Sequence, residues 1–110
     1  MSWDVVYTAG ARRDLRGLYA YIADELCAPE TAAGQAGRIM DGIRSLGEMP
    51  MRYRLYDDEP WHSRGMRFFP VDNYLVFYLP EETKNTVYIV RIMYGGRDVC
   101  GQLKKTKMEY

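Results

Sequence analysis

The residues best suited to do chemistry in this chain cluster towards its C-terminus. A strand-like run, Ile89-Val90-Arg91-Ile92-Met93-Tyr94, leads through Gly95-Gly96 into Arg97-Asp98. Two glycines let the backbone turn sharply, which would aim the Arg97 guanidinium over an open sheet face. An always-charged fork of this kind can grip a phosphate or a carboxylate with two hydrogen bonds. The alternative is a structural ion pair from Arg97 to Asp98 or to an acid on the first helix. Arg67 and Arg64 precede another strand and could line the same face, or sit on a solvated strand edge. Arg91 lies mid-strand. Strand alternation puts Val90 and Ile92 on one face and Ile89, Arg91 and Met93 on the other. A charge facing the helices would be costly, so Arg91 is expected either to look to the open side or to pair with an acid such as Asp14. Tyr94 closes the strand as a further contact candidate.

Other chemistries find less support. The single histidine, His62, and the two distant cysteines, Cys27 and Cys100, lack metal-ligand spacing, so no metal and no cofactor is expected. Fifteen basic residues balance fifteen acidic ones, which counts against a free-standing nucleic-acid binder. A local basic surface from Arg52, Arg54, Arg64, Arg67, Arg91 and Arg97 can survive that neutral total. No apolar run approaches a membrane span and the N-terminus lacks signal-peptide character, so a reduced, cytoplasmic protein is expected.

A chain of 110 residues suffices for one compact domain. Residues 3–7 read as a strand, and Thr8 suits a helix N-cap. Ala11, Leu15, Leu18, Ile22 and Leu26 recur at spacings of three and four, one face of a first helix, with Arg12, Arg13, Arg16 and Asp24 elsewhere on it. Cys27-Ala28-Pro29 breaks that helix. Ala32, Ala36, Ile39, Ile43 and Leu46 mark a second, which Pro50 is expected to stop. Residues 52–65 look irregular, with a short strand around 53–56. Strands then follow at 66–71, 74–79 and 86–94, with Asp72-Asn73 as a turn tolerant of positive φ. The predicted class is α+β, in the order β-α-α-β-β-β, with the N-terminal strand and a helical hairpin packed on one face of a small, mostly antiparallel sheet. One domain is expected over 1–103, followed by a short charged tail, 104–110.

Nearly the whole chain resembles the RelE/ParE superfamily of bacterial toxins. The resemblance is carried by Asp14-Leu15 and Tyr21 to Glu25, Pro29-Glu30, Met49-Pro50 with Arg52, Gly65-Met66-Arg67, Asn73 to Tyr78, Arg91-Ile92, Tyr94 and Arg97-Asp98, in that order. It implies the toxin of a type II toxin–antitoxin pair, silenced by a cognate antitoxin protein. ParE-like members of the superfamily poison DNA gyrase, and RelE-like members cut mRNA on the ribosome. On this resemblance Arg97 and Arg67 are the candidate catalytic residues, and Arg64, Arg91 and Tyr94 the candidate target contacts. Leu75, Phe77 and Leu79 share the face that the resemblance leaves open, and they are the candidate antitoxin contacts; the alternative is that these three are core and Tyr74, Val76 and Tyr78 face out.

Cleavage by a 2′-hydroxyl needs a base, an acid and cations for the crowded phosphorane. Leu75 stands where an RNA-cleaving member usually carries an arginine, and Leu103 stands near an expected tyrosine. Phe68-Phe69-Pro70 replaces a lysine-rich strand. The residues therefore favour a ParE-like toxin that inhibits growth when free. A ribosome-dependent mRNA endoribonuclease and a non-toxic antitoxin-binding module remain the alternatives.

Overall fold

In a computed structural model, residues 2–96 and 98–107 are described. Strand β1 (Asp4–Tyr7) enters helix α1 (Ala9–Ala20) through Thr8, whose Oγ1 accepts from Ala11 N at 3.2 Å and donates to Ile89 O at 2.8 Å. One buried hydroxyl thus caps the helix and ties it to the sheet. A wider π-helical turn, Tyr21–Glu25, continues α1. Cys27 at φ +52° and Pro29 at the first helical position then reverse the chain into α2 (Pro29–Arg44). Pro50 does not stop this helix. α2 ends at Arg44, a 3-10 turn follows over Ser45–Gly47, and Pro50 opens another short turn.

Strands β2 (Arg67–Val71), β3 (Tyr74–Glu81) and β4 (Thr86–Tyr94) form the expected antiparallel meander. β1 joins it in parallel beside β4, giving the sheet order β1-β4-β3-β2. The α+β class and the packing of the helical hairpin on one face of a small, mostly antiparallel sheet therefore stand as expected, and β1, as a member of that sheet, makes it four-stranded. Ile22, Ile39, Ile43 and Leu46 meet Phe69, Val76, Tyr78, Val87, Ile89 and Ile92 in the main core. Tyr78 is wholly buried there, and its hydroxyl donates to Pro50 O at 2.6 Å.

The opposite sheet face departs from expectation. Leu75, Phe77 and Leu79 do share one face, but the chain covers that face itself. Helix α3 (Trp61–Arg64) and a C-terminal helix α4 (Val99–Lys105) close a second apolar cluster of Trp61, Met66, Phe77, Leu79, Val90, Met93 and Leu103. Trp61 Nε1 donates to Leu103 O at 2.8 Å and pins α4 to α3. Lys104 and Lys105, expected in a tail, belong to this helix. Residues 54–56 also flank β2. Tyr56 N donates to Met66 O and Phe68 N to Arg54 O, which pairs part of an edge that would otherwise stand open.

The strand alternation expected for β4 also fails at one point. Phe77 pairs with Arg91 and Tyr78 with Ile89, so Val90 is an extra residue. A bulge of this kind resets the phase. Ile89 and Ile92 both enter the main core, whereas Val90 and Met93 enter the second.

At the β2–β3 turn only Asp72 takes positive φ, at +54°. Its carboxylate accepts from Arg38 Nε at 2.7 Å and Gln35 Nε2 at 3.0 Å, which fastens the turn to α2. These bonds, Arg38 first, hold the Asp72 carboxyl below its ordinary value of 3.8. A lowered folded pKa contributes stability above the unfolded value, and the contribution disappears as pH falls through the folded one. Replacing Asp72 by Asn is therefore expected to flatten the loss of thermal stability between about pH 5 and pH 3. Melting curves at both values check this, and an unchanged slope would count against it.

Candidate functional site

Two grooves run along α1, one on each flank. The first lies between α1 and α2, encloses about 550 Å³, and is lined by Leu15, Tyr19, Ala33, Ala36 and Met40 with Arg16 at its rim. The second encloses about 930 Å³ between α1, the start of α2 and the C-terminal end of β4. Arg13, Gly17 and Tyr21 form one wall, and Asn73, Tyr74 and Tyr94 the other. Tyr21 and Tyr94 are about half exposed, at 55% and 48%. Rings this accessible, on opposite walls, offer apolar contact with a polar tip.

The floor of the second groove is fixed by an ion pair. β1 ends at Tyr7 opposite Ile89, which leaves the rest of that β4 edge without a strand partner. Asp14 of α1 fills the gap. Its Oδ2 accepts from Ile92 N at 2.9 Å and from Arg91 Nε at 2.6 Å, and its Oδ1 accepts from Arg91 Nη2 at 3.0 Å. Arg91 Nη1 also donates to Thr106 Oγ1 at 3.0 Å, tying the residue after α4 to the same cluster. Both side chains are less than one-fifth exposed. Arg91 is thus committed to Asp14, one of the two placements expected for it, and is not a free cation for a target.

The other sequence candidates separate. Arg67 Nη1 donates to Tyr53 O at 2.5 Å, and the Arg64 guanidinium lies 4.7 Å from the Trp61 ring centroid. Both pack on the 53–66 segment. Arg67 pairs with Tyr78 at one end of the sheet, whereas Tyr94 pairs with Tyr74 at the other. A single surface joining Arg64, Arg67, Arg91 and Tyr94 is therefore not formed. Phe77 is wholly buried and Leu79 nearly so, at 7% exposure, so a partner reaches neither without displacing α3 or α4. Leu75 is half-buried at the edge of the same cluster. Arg97 lies outside the described residues. His62 Nδ1 sits 2.8 Å from Tyr56 O, at the base of α3. Burial, and then contacts with Asp58 and Cys100, push the Tyr56 hydroxyl up to about 12, so it is a neutral hydrogen-bonding group near pH 7.

The sequence reading assigned no role to the outward side of α1. Arg12, Arg13 and Arg16 are exposed there, and none has an ion-pair partner among the described residues. Arg12 Nη1 donates to Tyr7 O at 2.6 Å, and the nearby acid Asp14 is turned inward onto Arg91. Gly17 sits in mid-helix, where glycine costs about 1 kcal/mol relative to alanine. Nothing lies within 4 Å of where its Cβ would be, so the fold does not demand glycine there. Gly42 on α2 is the contrast, because a Cβ there would meet Phe69 Cε2 at 3.0 Å. The legible signal was a pair of arginines four residues apart, Arg12 and Arg16, with no acid spaced to pair with them.

Residues 5–99 match the family model described as the ParE toxin of the type II toxin–antitoxin system, parDE. The chain belongs to the ParE toxin family. No curated protein matches it. Among solved structures, it is similar to the chromosomal ParDE toxin–antitoxin system from P. aeruginosa, with TM-score 0.68 and 19% identity over 84% of this chain and 96% of that one. It is also similar to the RelBE2 toxin–antitoxin complex from Mycobacterium tuberculosis, with TM-score 0.62 and 22% identity over 86% and 99%. A mutant of the E. coli toxin RelE in the free state gives TM-score 0.67 and 11% identity over 96% and 98%. At these identities the likeness is one of fold, and it spans both branches of the superfamily. As a ParE-family chain, the protein is a type II toxin of ParE-like kind. No helix among its described residues is long and apolar enough to cross a membrane.

Proposed function

We propose that this ParE-family toxin inhibits growth when free, acts in the bacterial cytoplasm by binding its target, and is silenced by a cognate antitoxin. The observation that carries the binding reading is the make-up of the α1 grooves. Among the described residues they present apolar side chains, tyrosines and, at Arg13 and Arg16, arginines without an ion pair, and the one carboxylate lining them, Asp14, is spent on Arg91 and Ile92. Such a lining suits a macromolecular surface. Among the described residues it supplies no base beside an acid for attack by a 2′-hydroxyl. DNA gyrase is the target class that the ParE resemblance implies, and two of the similar structures are of toxin–antitoxin systems.

Inducing the gene alone is expected to arrest growth, and co-inducing the neighbouring small gene to relieve the arrest. The purified toxin is expected to trap cleaved DNA on purified gyrase and to leave RNA ends in the arrested cells unchanged. New mRNA ends in a translation extract, with gyrase unaffected, would replace this reading with the nuclease. Normal growth on induction would leave a module that only binds antitoxin.

A further inference from the structure

We infer that Met49 is a rigid apolar knob that this toxin inserts into a pocket of its protein target, a contact apart from the α1 grooves. The inference rests on the reading that the toxin acts by binding. Met49 is 73% exposed, more than any other large hydrophobic residue described. Its backbone is left-handed, with φ +51° and ψ +58°. Asp72 and Asn85 also take positive φ, but theirs are residue types that tolerate it. A methionine there strains the backbone, and a glycine would not. The fold therefore keeps a strained residue whose side chain adds nothing to the core. Strain held without a folding benefit points to a use outside the fold.

The turn that carries Met49 is braced on every side. Before it, Leu46 is wholly buried and Gly47 O accepts from Trp3 N at 2.8 Å. After it, Pro50 is buried and its carbonyl oxygen accepts from the Tyr78 hydroxyl. Across it, Arg52 Nη1 donates to Ser45 O at 3.2 Å and Glu48 O at 2.7 Å, and Nη2 donates to Ser45 Oγ at 2.6 Å. The same guanidinium lies 4.8 Å from the Tyr53 ring centroid. A backbone so fixed loses little further freedom when a partner binds. The unbranched thioether side chain, in contrast, adapts to irregular apolar walls. A rigid base with an adaptable apolar tip is what an interface anchor requires.

Shape and charge choose the occupant. A convex apolar knob needs a concave apolar pocket, which the surface of a folded protein supplies. Glu48, the preceding residue, is exposed with no ion pair among the described residues, whereas Arg44 is paired with Asp41 and Arg52 is spent on the turn. A bare carboxylate beside the knob repels phosphates, so a nucleic acid fits this surface poorly. The knob also stands away from the larger groove. Trp3 and Gly47 meet next to the pairing of Asp4 with Thr86, where β4 begins, and that groove opens where β4 ends, at Tyr94.

The test uses the full-length toxin, growth on induction, purified gyrase and the small protein encoded beside the gene. Wild type is compared with Met49→Gly and Met49→Asp. Met49→Gly is expected to melt at or above wild type, because glycine adopts the left-handed backbone without strain. It is nevertheless expected to bind gyrase about tenfold or more weakly and to arrest growth less. Met49→Asp should lose more of both, since it would carry a charge into the pocket. Affinity for the neighbouring small protein should stay unchanged in both variants. Kept stability with lost target binding separates a contact residue from a folding defect. Gyrase binding and growth arrest equal to wild type in both variants would overturn this inference and leave the reading of a binding toxin standing. Arrest without gyrase binding in wild type, weakened in both variants, would keep the knob and replace gyrase by another protein target. Loss of affinity for the small protein instead, loss of a toxin dimer in light scattering, or loss of DNA binding would assign Met49 to the antitoxin, a second copy or a nucleic acid, and would overturn it. A wild type that neither binds gyrase nor arrests growth would overturn both.

Discussion

Asp14→Ala is expected to lower stability by about 3–5 kcal/mol, the cost of leaving one half of a largely buried pair without its partner. Arg91 would keep only Thr106, and the Ile92 N–H would lose the acceptor that replaces the missing β1 strand. Both side chains are less than one-fifth exposed, so water restores little of the loss. For a domain of this size the melting temperature should drop by on the order of 15–25 °C. Arg91→Met combined with Asp14→Leu is the informative companion, because an apolar pair of similar bulk leaves no stranded charge and should regain much of the loss. Thermal melts of the two variants decide the matter. A single variant within a few degrees of wild type would mean that the pair is solvated and that the bulged end of β4 is held by packing alone.

Trp61→Ala carries an expectation of similar size, about 3–5 kcal/mol for truncating a large buried aromatic side chain. Trp61 is 2% exposed and supplies both ring and hydrogen bond to the second apolar cluster. Its loss should loosen α4 and uncover Phe77, Leu79 and Met93. Trp61→Phe keeps most of the ring and loses only the bond to Leu103 O, so a cost of about 1–3 kcal/mol is expected. Amide hydrogen exchange reads the consequence locally. In the alanine variant the α4 amides should lose protection far more than those of β3 and β4. Unchanged α4 protection would show that the helix is held independently of Trp61.

Local signals in the chain were sufficient for most of its elements. Thr8 as a cap, the spacing of Ala11, Leu18 and Ile22, Pro29 at a helix start and Asp72-Asn73 between two strands each act within a few residues. Short-range sterics and hydrogen bonding therefore express them in any context. The family resemblance was legible for the same reason, since it rests on the order of such elements. α4 was missed although its cap was present, with Asp98 Oδ1 accepting from Gly101 N at 3.1 Å. A seven-residue helix carrying a glycine is marginal alone, and it forms here because Leu103 and Trp61 bury it.

The site depended on pairings that no local pattern specifies. Arg91 and Asp14 are 77 residues apart, and Trp61 and Leu103 are 42 apart. Alternation assumes an unbroken ladder, so the extra residue at Val90 turned a correct rule into a wrong facing for Ile92. Likewise, Leu75, Phe77 and Leu79 were rightly placed together on one face. An apolar face reads the same in sequence whether the chain's own helices or another protein covers it, because burial depends on area removed from water and not on what removes it. By itself the sequence determined most of the elements, their order and the family. The tertiary structure alone decided which charges are spent inside the fold, as Arg91 and Asp14 are, and which, on the outward side of α1, stay exposed without an ion pair among the described residues.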